Sequence, residues 1–109
     1  MIPDREGRPD AREVVRLEAL AVVDDAARAE EFLGRCVPYS GWLVQIRTAE
    51  VSAEVRRRIP LGTFDERVCT CVTLRLGRPV PVEPGLRIRL ASEDDPTLTA
   101  SAVVRPWGG

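Results

Sequence analysis

The sequence predicts an all-β protein, a small closed antiparallel β-barrel of about six strands. From Val37 onward, apolar and polar residues alternate in short runs, as expected for half-buried strands. Gly, Pro, Asp or Ser separate these runs roughly every 10 residues, a spacing typical of antiparallel sandwiches and barrels. The apolar residues are mainly valine, leucine and alanine, and only 5% of the chain is aromatic, a composition that favours sheets. A closed barrel is expected because so small an open sheet would expose its edges.

Six segments after Val37 carry this strand pattern. In the segment GLRIRLA, the apolar residues Leu86, Ile88 and Leu90 are expected to point inward, whereas Arg87 and Arg89 point out. The other segments are WLVQIRT, VSAEVRRRI, RVCTCVTLRL, PVPVE and TLTASAVV. Turn-forming residues bound each segment, which predicts short strands joined by turns.

The segment from Glu13 to Gly34 is ambiguous between strand and helix. Local propensity favours an alanine-rich amphipathic helix slightly. As a strand, the segment REVVRLEALAVV would place five apolar residues on one face, namely Val15, Leu17, Ala19, Ala21 and Val23. We predict a strand to about Val23 and then a loop or short helix, because of a resemblance described below.

The chain length bounds the domain organisation. With 109 residues there is room for one hydrophobic core. Residues 1–12 are polar and interrupted by proline, so we expect a flexible lead-in there. Residues 13–107 are then expected to form a single β-barrel domain.

Charge and cysteine content narrow the function classes. The chain has 16 basic residues, all of them arginine, and 17 acidic ones, with a net charge of -1. Proteins that bind a phosphate backbone usually carry a clear basic excess. Three cysteines cannot all pair within the chain, and no secretory leader or bilayer-spanning run of about 20 apolar residues occurs. We therefore expect a cytoplasmic protein with no membrane partner.

The sequence offers no recognisable catalytic apparatus. There is no histidine, which excludes histidine acid–base catalysis, and no general base accompanies a cysteine. Zinc needs about four ligands, but Cys36, Cys69 and Cys71 are the only cysteines. The acidic loop SEDDP at residues 92–96 lacks the spacing of a calcium loop. We expect no enzyme activity, no metal and no cofactor.

Cys69 and Cys71 lie two residues apart, so their thiols project from one face of a strand. Such neighbours diverge too far for an easy disulfide. We expect both to fill the barrel interior as small apolar side chains.

Arginines supply the candidate binding residues. Alternation along a strand predicts that Arg56 and Arg58 share a face and that Arg57 opposes them. Together with Arg87 and Arg89 they could form a patch for phosphate or for an acidic partner. A solvated strand face with acidic neighbours is the alternative.

The two tryptophans are the large aromatic residues most suited to an interface. An exposed apolar patch near Trp42 or Trp107 is therefore a candidate docking surface. Either side chain could instead plug an end of the barrel.

Two stretches together resemble the third domain of translation elongation factor Tu, a β-barrel. The segment PVPVEPGLRIRLASEDDPTLTASAVV is similar to a proline-led strand, a Gly-Leu-Arg turn and a final small-residue strand, at Pro79, Val80, Gly85, Leu86, Arg87, Val103 and Val104. The segment SGWLVQIRTAEVSAEV resembles the family's Ser-Gly-Tyr segment and the Arg-Thr-Thr-Asp-Val-Thr-Gly that follows it. Its matching positions are Ser40, Gly41, Trp42, Arg47, Thr48, Glu50, Val51 and Ser52. The family barrel opens with a strand and then a loop, which favours the strand interpretation up to Val23.

The resemblance also implies which partners to expect. In the family this barrel contacts a nucleotide-binding domain, elongation factor Ts and the T stem of tRNA. Nucleotide binding uses a Gly-rich loop that ends in Lys-Ser/Thr, and this chain has no lysine, so no nucleotide is expected. Of the tRNA contacts, Ser52 keeps a hydroxyl and Arg78 keeps a positive charge, whereas Leu43 replaces a glutamine. The last contact falls on Ser92 and Glu93, where the acidic loop would oppose phosphate.

These observations predict a non-catalytic interaction module that docks on a protein partner. The alternative is an RNA-binding module for tRNA that acts through Ser52, Arg78 and the Arg56/Arg58 face.

Overall fold

Six antiparallel strands close into a barrel in the computed structural model, which describes residues 11–106. The strands are β1 (Arg12–Val23), β2 (Gly41–Ile46), β3 (Ala49–Phe64), β4 (Arg67–Val82), β5 (Arg87–Ser92) and β6 (Thr99–Val104). Their spatial order is β1-β4-β3-β2-β5-β6, and β6 pairs with β1 to complete the ring. The predicted all-β fold and closed antiparallel barrel are therefore confirmed. Residues 1–10 of the expected lead-in, and Trp107, lie outside the described residues.

The β1 strand is the seam of the barrel. It pairs with β4 along most of its length and with β6 between Ala19 and Val23. Because both edges of the strand form backbone ladders, tertiary pairing outweighs the slight helical propensity of this segment. Helical structure is confined to a 3₁₀ turn (Ala26–Arg28) and the short helix α1 (Ala29–Arg35) that follow the strand, as predicted. Neither helical segment is long and apolar enough to cross a bilayer, and residues 11–106 hold no other helix.

One of the five predicted inward positions of β1 is wrong. Leu17, Ala19, Ala21 and Val23 are buried, but Val15 is exposed. The pairing between β1 and β4 shifts register after Val14. This bulge takes Val15 out of the strict alternation.

The segment PVPVE continues β4 rather than forming a strand of its own. The pairing of β4 with β3 ends at Leu76, and the pairing with the start of β1 covers Val80 to Val82. Proline has no N–H to donate, so Pro79 and Pro81 are tolerated in this half of β4, which has a partner strand on one side only. The following turn, Pro84-Gly85, places Gly85 at φ 89°, as the sequence pattern predicts.

The α1 helix closes one end of the barrel. Phe32 of α1 and Trp42 of β2 are both fully buried, with ring centroids 4.9 Å apart. The Trp42 indole N–H donates to Ser40 Oγ at 2.9 Å, so the buried ring keeps a polar partner. Burial also raises the pKa of the Cys36 thiol to about 11, against a weaker opposing effect of Arg58.

The β3–β4 hairpin extends beyond the barrel. Its two-residue turn holds Asp65 and Glu66 at positive φ, the geometry of a tight hairpin turn. Pairing of β4 with β1 reaches only as far as Cys69, so within residues 11–106 no third strand lies beside the tip of the hairpin. The side chains of Leu61 and Phe64 are exposed there.

Candidate functional site

A row of apolar side chains crosses the outer face of four strands. Val103 of β6 pairs with Leu20 of β1, Leu20 pairs with Cys71 of β4, and Cys71 pairs with Ile59 of β3. Directly paired residues project from the same face of a sheet. Leu20 is 38% exposed, Val103 39% and Ile59 42%. We call these four residues the apolar band.

The apolar band adjoins a shallow depression with basic walls. This depression, of about 510 Å³, is lined by Leu20, Val22 and Val103 together with Arg67, Arg87 and Arg89. Arg89 is held by Asp24 through an Nη2–Oδ2 contact of 3.0 Å. Arg67 and Arg87 make no ion pair within residues 11–106. The surface thus combines an apolar floor with uncompensated positive charge.

Asp24 anchors one wall of this depression. Burial opposes ionisation of Asp24. Two hydrogen bonds favour the carboxylate, from Thr99 Oγ1 at 2.7 Å and Ser101 Oγ at 2.8 Å, and together with the positive charge of Arg89 they outweigh the effect of burial. The pKa of Asp24 is therefore lowered, and the carboxylate stays ionised at neutral pH. The ion pair consequently fixes the direction of the Arg89 side chain.

The predicted interior position of Cys69 and Cys71 is wrong. Both thiols do share one face of β4, but their neighbours in the sheet are Val22 and Leu20, which project outward. Cys71 is nevertheless buried, and the Arg105 guanidinium covers it with an Nη1–Sγ distance of 3.4 Å. All three cysteines of the chain are free thiols.

Trp42 does not contribute a docking surface. Its side chain is 1% exposed, so the structure supports the alternative of a plug at the barrel end. The exposed apolar band lies on other strands, β6, β1, β4 and β3.

A β-bulge overturns the predicted facing of the arginine run in β3. Val55 pairs with Leu74, but Arg57 already pairs with Thr73 and Arg58 with Val72. Because Val72 points into the barrel, Arg58 lies on the inner side, half-buried. Its charge acts on the Cys36 thiol. Arg56 and Arg57 both line depressions of the outer surface.

The same bulge contributes to a cluster of five arginines on the outer surface. Arg16 of β1 pairs directly with Arg75 of β4. Arg16, Arg56 and Arg75 line a cleft of about 280 Å³. Arg16 also lines an adjoining cleft of about 320 Å³ with Arg57 and Arg105. We call these residues the arginine cluster.

Few carboxylates balance the arginine cluster. Arg56 lies 3.4 Å from a Glu54 oxygen, and Arg105 lies 4.0 Å from a Glu18 oxygen. Within residues 11–106, Arg16, Arg57 and Arg75 have no ion-pair partner. Arg56 also rests on the Tyr39 ring, 5.2 Å from its centroid, a contact that orients the guanidinium.

The predicted patch of Arg56, Arg58, Arg87 and Arg89 does not form. Arg87 and Arg89 belong to the depression beside the apolar band, whereas Arg56 belongs to the arginine cluster. The β2 strand separates β3 from β5 in the barrel.

The residues that the resemblance assigns to tRNA lie near each other. Ser52 is exposed, and a side chain on Gly77 would meet Ser52 Oγ at 2.7 Å, so the backbone just before Arg78 packs on Ser52. Arg78 itself is exposed. Glu54 and Glu93 line the same cleft of about 470 Å³ as Ser52. Two carboxylates therefore face the position that a phosphate would take.

The acidic loop is fastened to the α1 end of the barrel. Asp95 accepts hydrogen bonds from Thr97 Oγ1 at 2.6 Å and from Arg28 Nη2 at 2.7 Å. These contacts lower the pKa of Asp95 to about 2. Asp94 lies 3.8 Å from Arg35. The loop carboxylates are thus largely engaged with arginines of the chain itself.

Sequence reasoning missed Arg16, Arg75 and Arg105 as site residues. They come from β1, β4 and the end of β6, and their proximity depends on strand register. Leu20 and Val22 offered a detectable signal, because β1 is apolar on both faces at its C-terminal end.

These features define a closed six-stranded antiparallel barrel with an apolar and a basic surface feature. Comparison with known protein families and with curated proteins finds no match to this sequence.

Proposed function

We propose that this protein is a non-catalytic interaction module that docks on a protein partner through the apolar band. The observation that carries the proposal is the alignment of Val103, Leu20, Cys71 and Ile59 across four neighbouring strands. Outer positions of a barrel exposed to water are normally polar, and a group of exposed apolar side chains marks an interaction site. Three members of the band, Leu20, Val103 and Ile59, are exposed, whereas Arg105 covers Cys71.

The depression next to the band suggests the chemistry of the partner. Its floor is apolar and its walls carry Arg67 and Arg87, which lack carboxylate partners within residues 11–106. A partner that inserts an apolar side chain flanked by Asp or Glu would bury the floor and pair with the walls. Oppositely charged rims of this kind mainly favour specificity and fast association.

The resemblance to the third domain of elongation factor Tu supports the same proposal. A closed six-stranded antiparallel barrel is compatible with that fold, and in that family the barrel meets protein partners. We therefore propose a cytoplasmic docking role connected with translation. The alternative of tRNA binding at Ser52 and Arg78 is less favoured, because Glu54 and Glu93 share the Ser52 cleft.

A matched pair of valine substitutions tests the proposal. Val103→Glu places a charge in the apolar band, whereas Val37→Glu makes the same change at a valine of similar exposure (42%) outside it. Quantitative pull-down should recover one stoichiometric protein with the wild type and with Val37→Glu. We expect Val103→Glu to recover at least about tenfold less of that protein, a typical effect of disrupting the centre of an interface.

Thermal unfolding of each variant separates loss of binding from loss of folding. If Val103→Glu retains its folded state and the same partner in full, the band is not the docking surface. Equal loss in both variants would likewise count against the proposal.

A further inference from the structure

We propose that the arginine cluster is a second site, which binds the phosphate backbone of a nucleic acid. The site adjoins the apolar band, because Arg105 covers Cys71, but it shares no residue with the band. Arg75 also lines the Ser52 cleft, whereas Arg16, Arg57 and Arg105 do not, so these three distinguish the site from the Ser52 and Arg78 positions of the family resemblance. Its success or failure is therefore independent of the proposed protein docking.

Two like charges face each other at the centre of the site. Arg16 and Arg75 are direct partners on neighbouring strands, and like charges in this position are destabilising. Arg75 has Glu54 opposite it on β3, whereas Arg16 has no carboxylate opposite it among residues 11–106. Several other arginines are paired with a carboxylate, for example Arg28 with Asp95 and Arg47 with Glu83. An anion shared by Arg16 and Arg75 would remove the repulsion and give both guanidinium groups an acceptor.

The two clefts of the arginine cluster form one continuous site. They adjoin each other and share Arg16 as a common wall. Each cleft has two further arginines, so each can hold one oxyanion through fork-like hydrogen bonds. Two neighbouring oxyanion sites fit successive phosphates of a nucleic-acid strand.

The remaining lining residues of the clefts are aliphatic or short, apart from Glu18: Val15, Leu17, Thr73 and Pro106. Among residues 11–106, no aromatic side chain lines either cleft, and Tyr39 lies outside them beneath Arg56. The site would therefore contact the backbone and read no sequence.

The net charge of -1 limits the affinity for nucleic acid that we expect. The molecule as a whole does not attract a polyanion, so the binding depends on local contacts. If the two clefts each neutralise one phosphate, log K should fall with log salt with a slope of about −1.4 to −1.8.

Fluorescence anisotropy with labelled 20-nucleotide single-stranded and duplex RNA tests the proposal between 50 and 200 mM salt. We expect binding to both RNAs, with Arg57→Glu weakening it by roughly tenfold or more and Arg16→Gln reducing the salt slope by about 1. Arg35→Glu changes the net charge as Arg57→Glu does but lies on α1, and it should bind like the wild type.

Thermal unfolding supplies a second readout. Arg16→Gln removes the like-charge pair with Arg75, which is the only strand partner of Arg16 among residues 11–106, so its Tm should equal or exceed that of the wild type while RNA binding falls. A structural role for Arg16 would instead lower the Tm.

Four results would overturn the proposal. The first is that neither RNA binds at 50 mM salt, and the second is that Arg35→Glu weakens RNA binding as much as the substitutions in the arginine cluster do. The third is that only Arg78→Glu weakens RNA binding, which would place the RNA at the Ser52 cleft. The fourth is displacement of the RNA by poly-glutamate at equal charge concentration, which would indicate an acidic protein as the ligand.

Discussion

Arg28 connects the 3₁₀ turn and α1 to the acidic loop. Its guanidinium donates to Asp95 Oδ2 and Thr97 Oγ1, both at 2.7 Å, and to Glu31 Oε1 at 3.0 Å. Charge-assisted contacts of this type orient both partners. One residue therefore fixes the loop that follows β5, and the loop in turn positions Glu93 at the Ser52 cleft.

The lowered pKa of Asp95 predicts an acid-sensitive contribution to stability. Its folded pKa of about 2 lies below the ordinary value of 3.8. A carboxyl with a depressed pKa stabilises the fold above its ordinary pKa, and this contribution is lost as the pH falls from about 4 to about 2. Thermal unfolding between pH 5 and pH 2 should show a smaller acid-induced fall in Tm for Asp95→Asn than for the wild type.

Asp94→Asn is the control for the Asp95 prediction. Its side chain is 86% exposed, and its nearest arginine lies 3.8 Å away. Its Tm should follow that of the wild type through the same pH range. If Asp95→Asn and the wild type show the same acid sensitivity, the ion pair with Arg28 does not contribute as argued.

At the scale of elements, the close approach of β3 and β4 depends on Gly77. A Cβ at this position would lie 2.7 Å from Ser52 Oγ and 3.3 Å from the Ser52 carbonyl oxygen. Because the backbone oxygen cannot rotate away, Gly77→Ala should destabilise the fold by about 1–3 kcal/mol. Urea unfolding measures this change.

Gly34 supplies the contrasting case for Gly77. It lies in α1, and no atom would come within 4 Å of an added Cβ. Gly34→Ala should therefore stabilise the protein by roughly 0.5–1 kcal/mol, since alanine is the better helix former. Destabilisation by both substitutions would contradict the argument from close approach.

Bulges decide how the strands present their side chains. The shift after Val14 exposes Val15, and the shift after Val55 brings Arg56 and Arg57 to the outer surface. Each bulge breaks the alternation on one strand only. The second shift is what places Arg57 on the outer surface beside Arg56 and so adds it to the arginine cluster.

At the scale of the whole molecule, α1 and the start of β2 together close the barrel. Phe32 is fully buried against Trp42, so Phe32→Ala would leave a cavity at the closed end. We expect a loss of about 3–5 kcal/mol in the free energy of unfolding, measured by chemical denaturation.

Phe64→Ala is the matched control for Phe32→Ala. This phenylalanine is 60% exposed at the hairpin tip, and its removal should change stability by less than about 0.5 kcal/mol. A comparable loss in the two variants would show that the hairpin tip is part of the core.

The sequence predicted those features that depend on local pattern. Ile88 and Leu90 are buried while Arg87 and Arg89 are exposed, because this strand has no bulge and the period of two holds throughout. The Pro84-Gly85 turn was likewise readable, since proline and glycine restrict the backbone in characteristic ways. The prediction of the β1 strand depended on the family resemblance, because the local propensity of this segment favours a helix.

The sequence by itself determined the strand-forming segments after Val37, most of the inward-facing residues and the turns that join them. The tertiary structure decided the register of the bulged strands and the side of the barrel on which Cys71 and Arg58 lie. It also decided that Trp42 is buried and that Arg16 meets Arg75. The reason is physical: alternation and turn chemistry act between neighbours in the chain, whereas register and closure depend on strands that are distant in sequence.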